Sequence, residues 1–402
     1  MSVKKRNVAI IGAAATALLA TGCGPTLIAS SQTPEQSAVA MQVSPAVDRK
    51  APVNQPIVVV AEDGSLADVT VEGPKGLMKG SYNPERNTWT SKAQTLAFGT
   101  QYTVSATATN GEGNPTTIDR TFKTVNPQTL VEISSVSVAD GSEVGVGMPI
   151  RVTFSAPVEN KKNVEEQLVV RTSQPVTGAW VWESDETVVF RPKKYWPENS
   201  KIEVVMPLKG VKTGPGAYGA SNADINYTTG DSMVSTYDAS NHTLTVKKNG
   251  KVIREFPATA GKPGFETRSG IRVQSGKLDC DLMDAATGGT SEDDPEYYRL
   301  DVNWAMRITN SGEFVHAAPW SVGSQGYANV SHGCVGLSTD NAYWLFQNSQ
   351  VGDVIVVKNT GREQDLGNGI TEWNVAWKDW LADSKTGAVT TEPLDSSTNS
   401  SA

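Results

Sequence analysis

Phe314-Val-His-Ala-Ala-Pro-Trp-Ser-Val-Gly-Ser-Gln-Gly-Tyr-Ala-Asn-Val-Ser-His-Gly-Cys-Val-Gly-Leu-Ser338 gathers two of the three histidines and one of the three cysteines of a 402-residue chain into one short segment. An apolar run ends in His316, a turn-rich stretch follows, and Ser331-His332-Gly333-Cys334 leads into a second short apolar run. A thiol and an imidazole so placed are the two partners of nucleophilic catalysis. A free thiol titrates near ~8.5, so attack at neutral pH needs a neighbouring base. Gly333, just before the thiol, permits a sharp turn and leaves amide N–H groups free for a developing oxyanion.

The flanks of this segment read as a mostly β domain. Downstream, Ser338 or Thr339 caps a short helix with Ala342, Leu345 and Phe346 on its inner face, and Val354-Ile-Val-Val357 returns as a strand. Upstream, Tyr298 to Thr309 joins Glu313-Phe-Val-His316 through Asn310-Ser-Gly312. Gly270 to Gln274 and the stretch around Met283 add further strands, with Trp304 and Met306 assigned to the core. Thr243 to Phe256 is a hairpin centred on Asn249-Gly250. Together these define residues 231–358 as one unit, and a fragment beginning near Asp231 is expected to fold on its own.

Before it lie two segments of similar layout, residues 44–126 and 127–230. Each alternates short β-rich runs with Gly, Pro and Asn punctuation, such as Tyr102 to Ala108 in the first and Lys201 to Met206 in the second. They read as tandem Ig-like β-sandwich modules without the disulfide signature of antibody domains. A spacer or wall-binding arm and an inert scaffold both remain open for them.

Residues 1–22 read as an export signal: Lys4-Lys5-Arg6, an apolar run from Val8 to Ala20, then Thr21-Gly22. Leu19-Ala-Thr-Gly-Cys23 resembles a bacterial lipobox, which would make Cys23 an acylated N-terminus. Its lipid would anchor the protein outside the membrane. Residues 23–43 read as a flexible tether. At the other end, the three tryptophans of residues 359–381 are expected to pack on the catalytic unit, and residues 382–402 to be disordered.

Ser331-His-Gly-Cys334 preceded by His316, with Phe314 to Gly326, resembles the YkuD-type L,D-transpeptidase catalytic domain, from about Ser232 to the tryptophan tail. The lipobox and two Ig-like modules resemble the membrane-anchored branch of that family. The resemblance implies acyl transfer on peptidoglycan: Cys334 attacks a tetrapeptide stem at its third residue, D-alanine leaves, and a second stem resolves the thioester. It implies His316 as general base, oriented through the backbone carbonyl of Ala317, and His332 as a shaper of the pocket or oxyanion region. Oxyanion donors would be the N–H groups of Gly333 and Cys334 with the Tyr298 hydroxyl. Met283, Tyr298, Trp320, Ser331 and His332 would bind substrate beneath a flap from about Asn303 to Tyr327. Carbapenem-type β-lactams are the expected inhibitors, and no metal, nucleotide or organic cofactor is implied. The family usually carries Asn two residues after the cysteine, where this chain has Gly336.

Charge and cysteine spacing exclude other classes. The formal charge is −8, and loss of the leader leaves 32 basic against 43 acidic residues, a net of −11, so nucleic acid is an unsuitable partner. His332 and Cys334 are two apart with no further ligand at a standard spacing, which disfavours zinc. A same-fold enzyme that hydrolyses stems or attaches proteins to the wall, and a non-catalytic wall-binding lipoprotein, remain as alternatives. Cys280, between Asp279 and Asp281, is expected to be a poor nucleophile.

Overall fold

The computed structural model describes residues 38–46 and 50–394, almost all of it strand and connecting loop. The expected export signal, Cys23, and the tether up to residue 37 lie outside the described residues, as do residues 395–402.

The first module is two four-stranded sheets around its own core, which includes Val59, Leu66, Trp89, Tyr102, Val104 and Phe122. Strict alternation makes the core: in Gln101–Thr109, Tyr102, Val104, Ala106 and Ala108 are buried while their neighbours are more exposed. The last residues assigned to the tether are part of this module. Ala40–Ser44 pairs antiparallel with Val58–Glu62, and Met41 and Val43 pack on the core. Two apolar side chains two apart suffice to recruit an edge strand, a signal that the surrounding polar composition hid.

The second module has two five-stranded sheets over a core holding Trp180, Phe190 and Trp196, the last two with ring centroids 5.8 Å apart. That core does not stop at the module's end. Val354 belongs to it, and Val234, Ile271, Val356 and Ile370 of the following domain pack against it. Gly145 and Gly147 let the two backbones close up: a Cβ on Gly145 would lie 2.2 Å from the Asp353 nitrogen.

The third unit contains one sheet of five strands, in spatial order Lys251–Pro257, Thr243–Lys248, Met233–Asp238, Val354–Lys358, Gly270–Val273. A second sheet of four runs Gly276–Asp284, Arg299–Arg307, Phe314–Ala317, Val335–Leu337. Asn249 and Gly250 turn the hairpin with φ of 49° and 78°, both left-handed as a tight two-residue turn requires. The helix Thr339–Asn348 starts at Ser338, whose hydroxyl accepts from the Asn341 N–H at 3.3 Å, and buries Ala342, Leu345 and Phe346 between the sheets' apolar faces. Trp304 and Met306 join this core, Trp304 through a left-handed residue (φ 58°) that turns its ring onto Tyr343 and Phe346.

The C-terminal segment departs from expectation. Its first part does lie on the catalytic unit, where the Asn374 side chain bonds the N–H and carbonyl of Ile271, both at 2.7 Å. The tryptophans, however, face the second module. Trp373 donates to the Gly147 carbonyl at 2.8 Å, and Trp380 is buried on Ala179, Val181 and Val189. The Arg191 guanidinium lies 4.8 to 5.4 Å from the rings of Trp373, Trp377 and Trp380. Nor are residues 382–394 a disordered tail. Val389–Thr390 pairs with Thr177–Gly178 and Glu392–Pro393 with Arg171–Thr172, supplying the last strand of each five-stranded sheet of the second module. Open strand edges attract such pairing whatever the side chains, which is why composition misled here.

Candidate active site

The parallel pairing of Phe314–Ala317 with Val335–Leu337 sets His316 opposite Gly336 and leaves Cys334 at the head of its strand. Gly333 turns into that strand with φ of 126°, a conformation that a side chain would strain. Its carbonyl accepts from the Thr267 hydroxyl at 2.7 Å, and its N–H donates to Ser331 Oγ at 3.1 Å. Ser331 in turn donates to the Cys334 carbonyl at 2.6 Å. The amide of Gly333 is therefore occupied by Ser331 rather than free for an oxyanion, and Ser331 is a brace of the turn as well as a lining residue.

His316 is buried, and its Nδ1–H donates to the Ala317 carbonyl at 2.7 Å. That bond leaves Nε2 as the basic nitrogen. Burial holds the imidazole below its ordinary range, partly offset by the Ala317 carbonyl. Burial also pushes the Cys334 thiol up to about 12, against a smaller opposing pull from the Phe314 backbone. The resting pair is thus neutral thiol and neutral imidazole. The thiol donates to the Gly312 carbonyl at 3.7 Å. A thiol in that state needs a base to take its proton before it can serve as the nucleophile.

Two cavities meet at the thiol. One, of about 260 Å³, is mainly apolar and holds His316, Trp320, Thr259, Leu300, Val302 and Gly336. The other, of about 720 Å³, is polar and carries Arg268, Arg307 and Arg362 with Glu266, Asp281 and Asp284. Met283, Tyr298, His332 and Cys334 line both. Tyr298 keeps its proton, its phenol being raised chiefly by burial, so its hydroxyl is available as a donor in the cavity it shares with the thiol. Trp320 sits on the short turn Pro319–Ser321, 60% exposed at the mouth, its ring 6.0 Å from that of His316. The covering loop is shorter than expected. Asn303–Arg307 and Phe314–Ala317 are sheet strands, and Ala318, Trp320, Ser321, Val330 and Ser331 of the connecting residues 318–331 line the apolar cavity.

Several residues that hold the site gave little sign in the sequence. The Thr259 hydroxyl donates to the Ala328 carbonyl at 2.8 Å, and its backbone pairs both ways with Gly336. Asn329 Oδ1 accepts from the Tyr237 hydroxyl at 2.5 Å and the Ala260 N–H at 3.0 Å, with His242 Nδ1 at 3.2 Å. Beneath the polar cavity, Glu313 pairs with Arg268 at 2.7 Å and with the fully buried Arg272 at 3.1 Å. Asn329 stands five residues before the thiol and was the one member that position alone could have nominated. Cys280 is exposed on the strand Gly276–Asp284 and lines neither cavity.

A buried cysteine and an oriented neutral histidine that line one cavity with a phenol carry the groups that a cysteine acyl-transfer enzyme needs. The family model described as L,D-transpeptidase catalytic domain matches residues 233–357, and that of the bacterial Ig domain matches residues 48–212 across both modules. L,D-transpeptidase 2 of Mycobacterium tuberculosis is 36% identical over 332 residues, 82% of this chain and 81% of that protein. L,D-transpeptidase 1 of the same organism is 39% identical over 230 residues, 57% of this chain and 86% of that protein. A solved L,D-transpeptidase structure in complex with imipenem aligns at 39% identity and a TM-score of 0.50, covering 57% of this chain and 100% of that one. The chain belongs to the L,D-transpeptidase family, and it is an acyltransferase.

Proposed function

We propose that this transpeptidase crosslinks the third-position residues of tetrapeptide stems in peptidoglycan. His316 Nε2 takes the thiol proton as Cys334 Sγ attacks the carbonyl carbon of the third residue. The Tyr298 hydroxyl faces the oxyanion. Collapse breaks the C–N bond, and the nitrogen of terminal D-alanine leaves with the proton held by His316. The side-chain amine of a second stem then attacks the thioester carbon. Its proton passes through His316 to the departing sulfur, and a new amide remains. The observation that carries this reading is that one thiol opens on two cavities of different polarity, as a reaction with separate acyl donor and acceptor requires. Mass spectrometry of products from purified tetrapeptide stems tests it: crosslinked dimer with release of D-alanine is expected, and tripeptide alone would convict the enzyme of hydrolysis instead.

The imipenem complex of the relative supports β-lactam capture by the same thiol, since a strained lactam carbonyl is a competent acyl donor. A stable adduct on Cys334 is expected by intact-protein mass, and its absence from protein with a titratable thiol counts against acyl transfer. The lipobox-like Leu19-Ala-Thr-Gly-Cys23 supports a lipid-anchored protein facing the cell wall. Cys23→Ser is expected to release it from membranes, and unchanged membrane retention would refute the anchor.

A further inference from the structure

Resting on that reading, we propose that Glu296, with Lys262, is a positioning device that keeps the two cavities apart at Cys334 and thereby decides whether the thioester goes to an amine or to water. Four residues line both cavities and so form the partition: Met283, Tyr298, His332 and Cys334. Met283 and Cys334 are buried and fixed by packing. Tyr298 and His332 lie in connecting loops; Tyr298 packs on that cluster and its carbonyl accepts from the Ala285 N–H at 2.9 Å, whereas the His332 ring needs another restraint.

Glu296 supplies it. Its Oε2 accepts from His332 Nε2–H at 2.7 Å and from the Lys262 ammonium. The His332 ring is held edge-on to Phe265, centroids 4.7 Å apart, and tilted on Tyr298 at 5.0 Å. Each partner is anchored in turn. The Lys262 N–H donates to the Ser331 carbonyl at 2.9 Å, which ties it to the backbone of the nucleophile's own turn. The Glu296 N–H donates to Asp294 Oδ1 at 2.8 Å, which fixes the loop that carries Tyr298. One carboxylate oxygen therefore joins three segments: the loop ahead of Tyr298, the turn at residues 262–265, and the Ser331–Cys334 motif.

The consequence falls on the second half-reaction. The thioester carbon accepts either an amine nitrogen or a water oxygen. In both cases the C–S bond breaks, its electron pair returns to sulfur, and one proton of the nucleophile passes to the sulfur through His316. Amine attack wins only where the acceptor is held at high effective concentration and bulk water is kept out. A partition free to move joins the chambers, lets water reach the carbon and loosens the acceptor.

The test uses the full chain with a tetrapeptide donor and an acceptor stem, reading crosslinked dimer against hydrolysed tripeptide by mass spectrometry. Glu296→Ala is expected to lower the dimer-to-tripeptide ratio at least fivefold. Glu296→Gln, which keeps an oxygen for His332, should recover at least half of that loss. The Glu296 side chain is 40% exposed and Lys262 28%, so both sites tolerate truncation, and Lys262→Met provides a second variant with a smaller fall. An unchanged ratio in Glu296→Ala, or equal loss of both products, overturns the inference alone. Wild-type protein that forms no dimer overturns the crosslinking reading and the inference with it.

Discussion

Cys334 and His316 line one cavity as neutral groups because both are buried, and burial opposes charge on each. The pH profile follows. The base must be deprotonated, and its pKa lies below that of an ordinary imidazole, so acylation of Cys334 should rise with pH through an inflection below about 6.5 and stay flat across neutrality. A midpoint above 7 in a carbapenem-capture assay would show that the imidazole is not the group whose deprotonation limits capture. Cys334→Ala should abolish crosslinking, His316→Ala should cost at least ~10²-fold, and Cys280→Ala, on an exposed strand face, should keep the wild-type rate. Gly336 is a different case. It has no left-handed φ, so its constraint is one of space: a Cβ would meet Ala318 Cβ and Thr259 Cγ2, each at 3.0 Å. Asn at this position asks both neighbours to yield a few tenths of an ångström. Acylation by Gly336→Asn should therefore stay within about tenfold, or 1.4 kcal/mol of barrier. A larger loss would mean that substrate backbone comes against the Gly336 Cα.

At the scale of elements, regular patterns were legible and irregular ones were not. Asn249-Gly250 announced its turn, the Ser338-Thr339 pair a cap that Ser338 supplies, and the alternation in Gln101–Thr109 its sandwich, because each depends on local chemistry that acts at fixed spacing. The His316 and Cys334 strands could be placed for the same reason. Glu296 and Lys262 could not: they reach His332 from 36 and 70 residues away in sequence, through loops with no period to read. The Ser331 brace likewise depends on a turn whose hydrogen bonds the residue types alone leave undetermined. Asp353 shows the same limit with a measurable effect. It sits in the turn before Val354–Lys358, buried against the second module, and Oδ2 accepts from the Gln350 N–H at 2.8 Å while burial raises its carboxyl to about 7. A folded pKa above the unfolded value of about 3.9 means that the folded state binds the extra proton. Its stabilising contribution is complete below about pH 4 and is lost as pH rises toward 7. The melting temperature should fall across that window, and Asp353→Asn, unable to ionise, should flatten the fall. Parallel pH curves for the two proteins would show that Asp353 stays charged in place.

At the scale of the molecule, the first module stands on its own core, whereas the second module and the catalytic unit share one and are strapped together by the C-terminal segment. The expectation of a self-sufficient fragment beginning at Asp231 therefore needs revision. Such a fragment loses the surface on which Val354, Trp373 and Trp380 pack, and leaves the strands of residues 389–393 without partners. Burial of one large aromatic such as Trp380 contributes about 1.5–3 kcal/mol, and at about 2–4 °C per kcal/mol for a unit of this size its loss alone lowers the melting temperature by several degrees. Two truncations separate the contributions. Removal of residues before 127 should leave the melting transition of the catalytic unit unchanged, because the first module keeps its own core and its approaches, such as Thr95 Oγ1 to Lys209 Nζ at 3.1 Å and Val53 against Gly210, are to the second module. Removal of residues 375–394 should lower that transition, and carbapenem capture should persist below the new midpoint, since none of those residues lines either cavity. Equal melting temperatures for the two truncated proteins, measured by calorimetry, would show that the strap adds nothing and that the shared core alone joins the second module to the catalytic unit.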